Sequence, residues 1–284
     1  MKILLTGATG FIGSYFRNNN RSDEISPFSF QHGDISSSDF SKFDAILHLA
    51  ALVHQMKTAD RAEYEVINVQ KTLELAAKAK SDGVKHFIFM STVKVYGEES
   101  DTVYTEKTPC HPQDDYGRSK LRAENELQKL SDTNFIVSII RTPIVYGVGV
   151  KANIKNLIDL IKKSSVLPFK NTHNIRSMVY IGNLCALIES VLEHRVSGIY
   201  LACDDTSLST SEFIQKIAVS LGKKLYLIYI PLFESALKFL KPSFHKRLYG
   251  NLIIDNTRTK ARLGYHTPYT IDEGIKIMLH GEKE

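Results

Sequence analysis

Residues 2–13 read KILLTGATGFIG, and the reading of the rest of the chain starts from them. Lys2 to Thr6 is a short apolar run, as a parallel strand buried on both faces requires. Gly7, Gly10 and Gly13 follow at once. Glycines at that spacing permit a tight turn. They also let backbone N–H groups approach a pyrophosphate, which then rests on the N-terminus of the next helix. Phe11 and Ile12 point into the core behind the turn. Three glycines alone are a weak signal, but directly after a strand that starts at residue 2 they are a strong one. The expectation is a dinucleotide site on Gly7, Gly10, Phe11, Ile12 and Gly13.

A chain of 284 residues suffices for one large domain or two smaller ones sharing a core. With 43% hydrophobic and 24% charged residues it reads as globular and not disordered. No apolar run approaches the length of a membrane span. The opening apolar run is too short for a signal peptide, and glycine follows it at once, so a cytoplasmic protein is expected. Cys110, Cys185 and Cys203 are odd in number and scattered, which predicts reduced thiols, no disulfide framework and no metal site. The net charge of +5 suits a polyanionic small ligand. There is no Lys/Arg stripe of the kind nucleic acid needs, and neither nucleic acid nor membrane is expected as a partner.

Beyond the glycine turn the pattern is that of a Rossmann unit, α/β with a doubly wound parallel sheet. A second strand should end in an acid that binds the adenosine ribose. Here the strand candidate Ile25 to Phe30 is interrupted by Pro27 and runs into Gln31 and His32. Nothing there would repel a 2′-phosphate, and Arg17 or Arg21 could meet one, so the reading leans to NADPH over NAD(H). Asp34 is a candidate for the adenine and equally a turn residue. AILHLAA, from Ala45 to Ala51, is a buried strand running into small residues. Leu49, Ala50 and Ala51 would let a dinucleotide lie across its end. His48 and His54 are candidates for the pocket, and a structural role is the better reading of each. The spacing of Val66, Val69, Leu73, Ala76 and Ala77 predicts one helix over 63–79. Asn68 lies within it, as a contact near the catalytic loop or as an exposed polar residue. Lys85 to Met90 is the next strand and delivers Ser91 and Thr92 to the same edge. Phe135 to Arg141 is another, leading into Pro143.

YGRSK, from Tyr116 to Lys120, places a phenol and an ammonium four apart on one helix face. Of the 13 tyrosines only Tyr116 has lysine at that offset, which singles it out. A neighbouring cation favours the phenolate and lowers a tyrosine pKa that starts near ~10, so that the group can exchange protons near neutral pH. Asp114 and Asp115 stand where a helix N-terminus favours acidic or capping side chains.

The glycine loop, Thr92 four residues before Tyr96-Gly97, the Tyr116/Lys120 pair and the Arg-x-Pro-x-Val-Tyr-Gly run from Arg141 resemble the extended short-chain dehydrogenase/reductases. That family includes nucleotide-sugar epimerases, dehydratases and reductases. The resemblance covers nearly the whole chain. It implies that Thr92 and Tyr116 hydrogen-bond the reacting sugar oxygen and that Tyr116 is the acid or base. It further implies that Lys120 holds the nicotinamide ribose and that Pro143 lines the nicotinamide pocket. Residues 147–153, 166–169, 174–177 and 183–184 resemble one branch. That branch reduces the 4-keto group of UDP-4-keto-6-deoxy-N-acetylhexosamines for bacterial surface polysaccharides. The likeness implies that Asn153 contacts the diphosphate, that backbone at Leu167 to Phe169 lies near uracil and that Arg176 grips phosphate. It also implies residues 1–143 as the dinucleotide-binding part, with 178–203 contributing. Residues 144–177 and 204–284 would form a smaller substrate-binding α/β part, and a homodimer through the helices at Glu63 and Tyr116 would fit the family.

Two departures bear on the chemistry. Val93 and Lys94 follow Thr92 where dehydratases place an acid, which disfavours dehydration. Ile144 stands where many 4-epimerases carry Asn. The preferred expectation is therefore NADPH-dependent 4-keto reduction. An NAD-dependent UDP-hexose or UDP-N-acetylhexosamine 4-epimerase is the alternative, and a non-catalytic dinucleotide sensor, which would be expected to have lost Tyr116 or Lys120, comes last. In the remainder, Ser209 to Leu221 reads as a helix capped at Ser209 or Thr210 with Glu212 in its first turn. Phe233, Leu237 and Leu240 sit at helical spacing and read as core or lid, ahead of a membrane-surface role. The basic cluster at 245–247 reads as a solvated face before a phosphate contact by Arg247.

Overall fold

The structure is a computed structural model that describes residues 1–53, 60–100, 102–170 and 172–281. The candidate His54 lies outside the described residues. Strand β1 (Lys2–Thr6) is buried from Ile3 onward and delivers the glycine turn to helix α1 (Phe11–Asn19). Gly7 takes φ +71°, and a Cβ on it would lie 2.7 Å from the Ala50 nitrogen. A Cβ on Gly13 would lie 2.3 Å from the Gly7 carbonyl oxygen. Both contacts are with backbone, which has little room to yield. Gly13→Ala is therefore expected to cost about 1–3 kcal/mol of stability. A thermal melt coincident with the parent's would contradict this packing.

Strand β2 (Glu24–Phe28) pairs with β1 at the sheet edge, where Pro27 is tolerated. Strand β3 (Ala45–His48) lies on the other side of β1. Helix α2 (Arg61–Tyr64), a π-helical segment (Glu65–Gln70) and α3 (Lys71–Ser81) follow one another without a break where the periodicity predicts a single helix. Strand β4 (His86–Thr92), buried throughout, pairs with β3. After β5 (Val103–Tyr104) comes α4 (Asp115–Leu130), and β6 (Ile136–Thr142) pairs with β4.

The second half begins with β7 (Ile144–Tyr146), α5 (Ala152–Lys163), β8 (Val166–Leu167), β9 (Met178–Tyr180) and α6 (Ile181–His194). Strand β10 (Gly198–Leu201) then returns to pair with β6. The parallel sheet has the order β10-β6-β4-β3-β1-β2, so the strand order reverses between β1 and β3, where α/β sheets bind their ligands. Helix α7 (Thr210–Ser220) opens on the expected Ser209/Glu212 capping box. Next come β11 (Tyr226–Leu227), α8 (Phe233–Leu240), α9 (Pro242–Tyr249), β12 (Ile253–Ile254), α10 (Thr257–Leu263) and α11 (Ile271–His280). Three small parallel pairs lie outside the main sheet, β8 with β11, β7 with β9, and β12 with β5 of the first half. Apolar clusters fill both faces of the main sheet, one around Ile3, Leu5, Leu47 and Ile88, the other around Leu4, Ile46, Phe87 and Phe89. That two-sided burial is why these strands read as continuous apolar runs.

Candidate active site

The start of α4 is fixed by Asp114, whose carboxylate accepts from the Gly117 nitrogen at 2.7 Å. This puts Tyr116 in the first turn and Lys120 one turn later. Thr92 ends β4 and Pro143 follows β6. Thr92, Tyr116, Pro143, Asn153 and Arg176 line one cleft of about 400 Å³, together with Lys94, Glu98, Lys246 and Arg247. The fold thus brings Tyr116 and Thr92 together with the expected substrate contacts Asn153 and Arg176, while Lys120, one helical turn beyond Tyr116, is buried and does not line the cleft.

The electrostatics of the pair differ from the sequence expectation. Burial pushes the Tyr116 phenol well above its ordinary value, and Asp114 and Tyr64 push it further. The Lys120 side chain is 2% exposed, and its ammonium lies 3.9 Å from the centroid of the Phe89 ring. Burial brings Lys120 down to about 7, against an opposing pull from Glu124. Adjacency on a helix therefore does not by itself make a phenolate: burial, Asp114 and Tyr64 all favour the neutral phenol, and the Lys120 ammonium sits against Phe89.

Several buried groups hold this pair in place. Asn68, in the π segment, donates to Ser119 Oγ and to the Leu52 carbonyl, both at 3.0 Å, and accepts from the Leu52 nitrogen at 2.8 Å. Ser119 in turn donates to the Tyr116 carbonyl at 2.8 Å. Asn68 thus ties the loop after β3 to the helix turn between Tyr116 and Lys120. His48 bonds Thr6 at 2.7 Å and Thr72 at 2.9 Å, and burial drops it to about 3. It is a neutral structural residue. Sequence reasoning missed the buried cluster beneath Lys120. There Glu124 takes an ion pair from Arg141 at 2.5 Å and a hydrogen bond from Ser91, and Arg141 stacks on Tyr96 at 4.6 Å.

On the cofactor side, Gly10 and Phe11 line a second cleft of about 360 Å³ with Thr9, Ser14, Val148 and Lys151. Helix α1 opens on Gly10 with no side-chain cap and no acid in its first turn. Phe11 and Ile12 pack partly against the core. Leu49, Ala50 and Ala51 are half-buried, and the Ala50 nitrogen donates to Thr6 Oγ1 at 3.1 Å beside the glycine turn. The exposed Asp34 carboxylate accepts from Ser36 and Ser37, which lowers its pKa.

On the substrate side, Asn153, Phe169 and Arg176 also line an apolar pocket of about 210 Å³. Arg176 Nη1 donates to the carbonyls of Lys246 and Gly250, at 3.3 and 2.9 Å, and burial lowers its pKa. Leu167 is buried, its carbonyl accepts from the Ile228 nitrogen, and it lines neither opening. Arg247 corrects a sequence reading. The bond from Arg176 folds α9 over the cleft, so Lys246 and Arg247 line it instead of forming a solvated face.

Lys94, two residues after Thr92, bridges Glu98 at 3.2 Å and Asp114 at 2.5 Å. It therefore compensates the carboxylate that raises Tyr116. Lys94→Met is expected to move the acid limb of the kcat/KM profile upward by on the order of one pH unit, since an uncompensated Asp114 disfavours the phenolate. An unmoved limb would show that Asp114 does not govern the phenol.

The model of the NAD dependent epimerase/dehydratase family matches residues 3–203. A UDP-glucose 4-epimerase of Vibrio cholerae is 36% identical, over 96% of this chain and 93% of its own. An N-acetyl-alpha-D-glucosaminyl-diphospho-ditrans,octacis-undecaprenol 4-epimerase of Escherichia coli O157:H7 is 27% identical, over 99% of this chain and 95% of its own. Among solved structures, UDP-glucuronic acid 4-epimerase from Bacillus cereus in complex with NAD superposes with a TM-score of 0.78 at 20% identity, covering 99% of this chain and 98% of that one, a likeness of fold. With the glycine turn, the switch point and the Thr92/Tyr116 cleft in place, the match over residues 3–203 has one reading: the chain belongs to the NAD dependent epimerase/dehydratase family.

Proposed function

We propose that the protein inverts C4 of a hexose or N-acetylhexosamine carried on a diphosphate, with NAD(H) held along the glycine turn. The observation that carries this reading is one cleft that gathers Thr92 and Tyr116 with Arg176, Lys246 and Arg247. It combines a proton-transfer pair with cations suited to a diphosphate. The two relatives support it, since both are named as 4-epimerases, one of a nucleotide sugar and one of a lipid-linked sugar. The backbone-tight turn at Gly7 and Gly13 and the uncapped start of α1 fit a dinucleotide pyrophosphate.

In this reading Gly7, Gly10, Phe11, Ile12 and Gly13 hold the pyrophosphate, and Asp34 the adenine end. Leu49 to Ala51 underlie the dinucleotide, Lys120 takes the ribose and Pro143 borders the nicotinamide. Asn68 positions the turn that carries Tyr116. The bound dinucleotide supplies a hydride acceptor and donor. Tyr116 removes the O4 proton as C4 is oxidised and returns one when C4 is reduced, and Thr92 holds O4 by a hydrogen bond. The burial-raised phenol needs positive charge to ionise, and Lys120 supplies it from one helical turn away. Asn153, Phe169 and Arg176 bind the carrier, with the backbone near Leu167.

The end of β2 favours a second reading. No acid follows Phe28 at the ribose position, which supports NADPH and reduction of a UDP-4-keto-6-deoxy-N-acetylhexosamine. One experiment separates the two. Protein without added cofactor is given UDP-N-acetylglucosamine, UDP-glucose and a polyprenyl-diphosphate N-acetylglucosamine, and NAD is assayed after denaturation. Interconversion at C4 with bound NAD is expected. NADPH oxidation by the keto sugar, with no interconversion of any of the three, would replace epimerisation by reduction.

A further inference from the structure

We propose that α8 and α9 form a peripheral docking surface for an anionic membrane at the rim of the cleft. Helix α8 has no buried residue. Leu232 at its cap, Phe239 and Leu240 are 79%, 87% and 74% exposed. With Ala236 they recur at helical spacing and form one outward apolar face. Phe233, on the adjoining arc, packs edge-on against Phe169 and anchors the helix. Glu234, Ser235 and Lys238 occupy the remaining, polar arc. A helix with an aromatic and leucine face and lysines beside it suits the headgroup–acyl boundary. A continuous exposed apolar face of this kind marks an interaction surface.

Charge selects the occupant. Residues 222–249 hold Lys223, Lys224, Lys238, Lys241, Lys246 and Arg247 against Glu234 alone, a balance of +5 from six cations and one anion. The whole chain carries +5, so every other charge in the sequence cancels. Glu234 is engaged by His245 at 3.1 Å, and Lys246 by Glu99 at 3.1 Å. Lys246 and Arg247 line the cleft, so Lys223, Lys224, Lys238 and Lys241, against Glu234 alone, carry the complement to anionic headgroups. A second copy of the chain would bring the same cations face to face and repel. Among the described residues no helix is long and apolar enough to cross a membrane, so the contact is peripheral. The sequence expectation of no membrane partner ranks a membrane-surface role for Phe233, Leu237 and Leu240 behind core or lid, and for Leu240 that ranking gives way to an outward face. Since Phe244, Arg247 and Leu248 of α9 line the apolar pocket, docking sets that pocket beside the bilayer surface.

The test is flotation of the full chain with vesicles of equal parts phosphatidylglycerol and phosphatidylcholine, and with pure phosphatidylcholine. Binding to the anionic vesicles that weakens with salt and is poor on neutral ones is expected. Phe239→Asp with Leu240→Asp should lower partitioning at least about tenfold, with an unchanged melting curve. No flotation of the parent, or equal flotation of the variant, overturns the proposal. So does a parent dimer in light scattering that the variant dissolves, because the face would then be a contact between copies. None of these outcomes depends on which reaction the cleft performs.

Discussion

Tyr116→Phe is expected to lower kcat by about 10²–10⁴-fold, the range that a positioned acid or base supplies. The substitution removes one oxygen. The ring, half-buried and 6.2 Å from the Tyr64 ring centroid, keeps its packing, and the helix start fixed by Asp114 is untouched. Melting temperature and dinucleotide affinity should therefore hold while turnover falls, a pattern that misfolding cannot imitate. Steady-state kinetics beside a thermal melt and a cofactor titration check all three. Parental kcat in the variant would take Tyr116 out of the proton path and leave the cleft without its assigned base.

Glu124→Ala should produce the largest loss of stability, on the order of 3–5 kcal/mol, because it strands a buried cation. Arg141 is 3% exposed and Glu124 fully buried. The carboxylate takes Nε and Nη2 of Arg141 and the Ser91 hydroxyl, and truncation unpairs all of them. Denaturant unfolding measures the loss. Glu124→Leu combined with Arg141→Met should recover most of it, since an apolar pair needs no compensation. If the single variant loses under about 1 kcal/mol, water or a rearranged Arg141 satisfies the charge and the cluster is not a structural keystone. Glu124 also raises Lys120, so the apolar double variant should fold while holding the lysine less readily in its charged form.

What the sequence disclosed was local or periodic. The strand-then-glycine pattern needs neighbouring residues only, as do the Tyr116/Lys120 offset and the Ser209/Glu212 cap. All three appear in the structure as read. What it hid depends on register between distant segments. Ser91, Glu124 and Arg141 meet because β4 and β6 pair Ser91 with Arg141 and α4 packs over them. No spacing rule connects three such positions. The direction of the Tyr116 shift was misread for a related reason, since the offset shows which side chains share a helix face but not how the phenol is buried or which groups surround it. Arg247 was hidden until the Arg176 bond to the Lys246 carbonyl set the direction of α9.

The helix between Asp60 and Asp82 contains one residue more than regular winding would use. At its end the Lys71 nitrogen reaches back to the Val66 carbonyl, five residues away in place of four. Deleting a single residue would restore uniform coiling and turn the flanking portions by about 100° relative to one another. Asn68 would then lose either the Leu52 backbone or Ser119. Local winding favours discarding the surplus, and the amide's double attachment is one of the contacts that hold it, beside the ion pair of Glu65 with Arg122 and the buried Val69. Homologues that shorten this helix by one would have to secure the loop after β3 by other means.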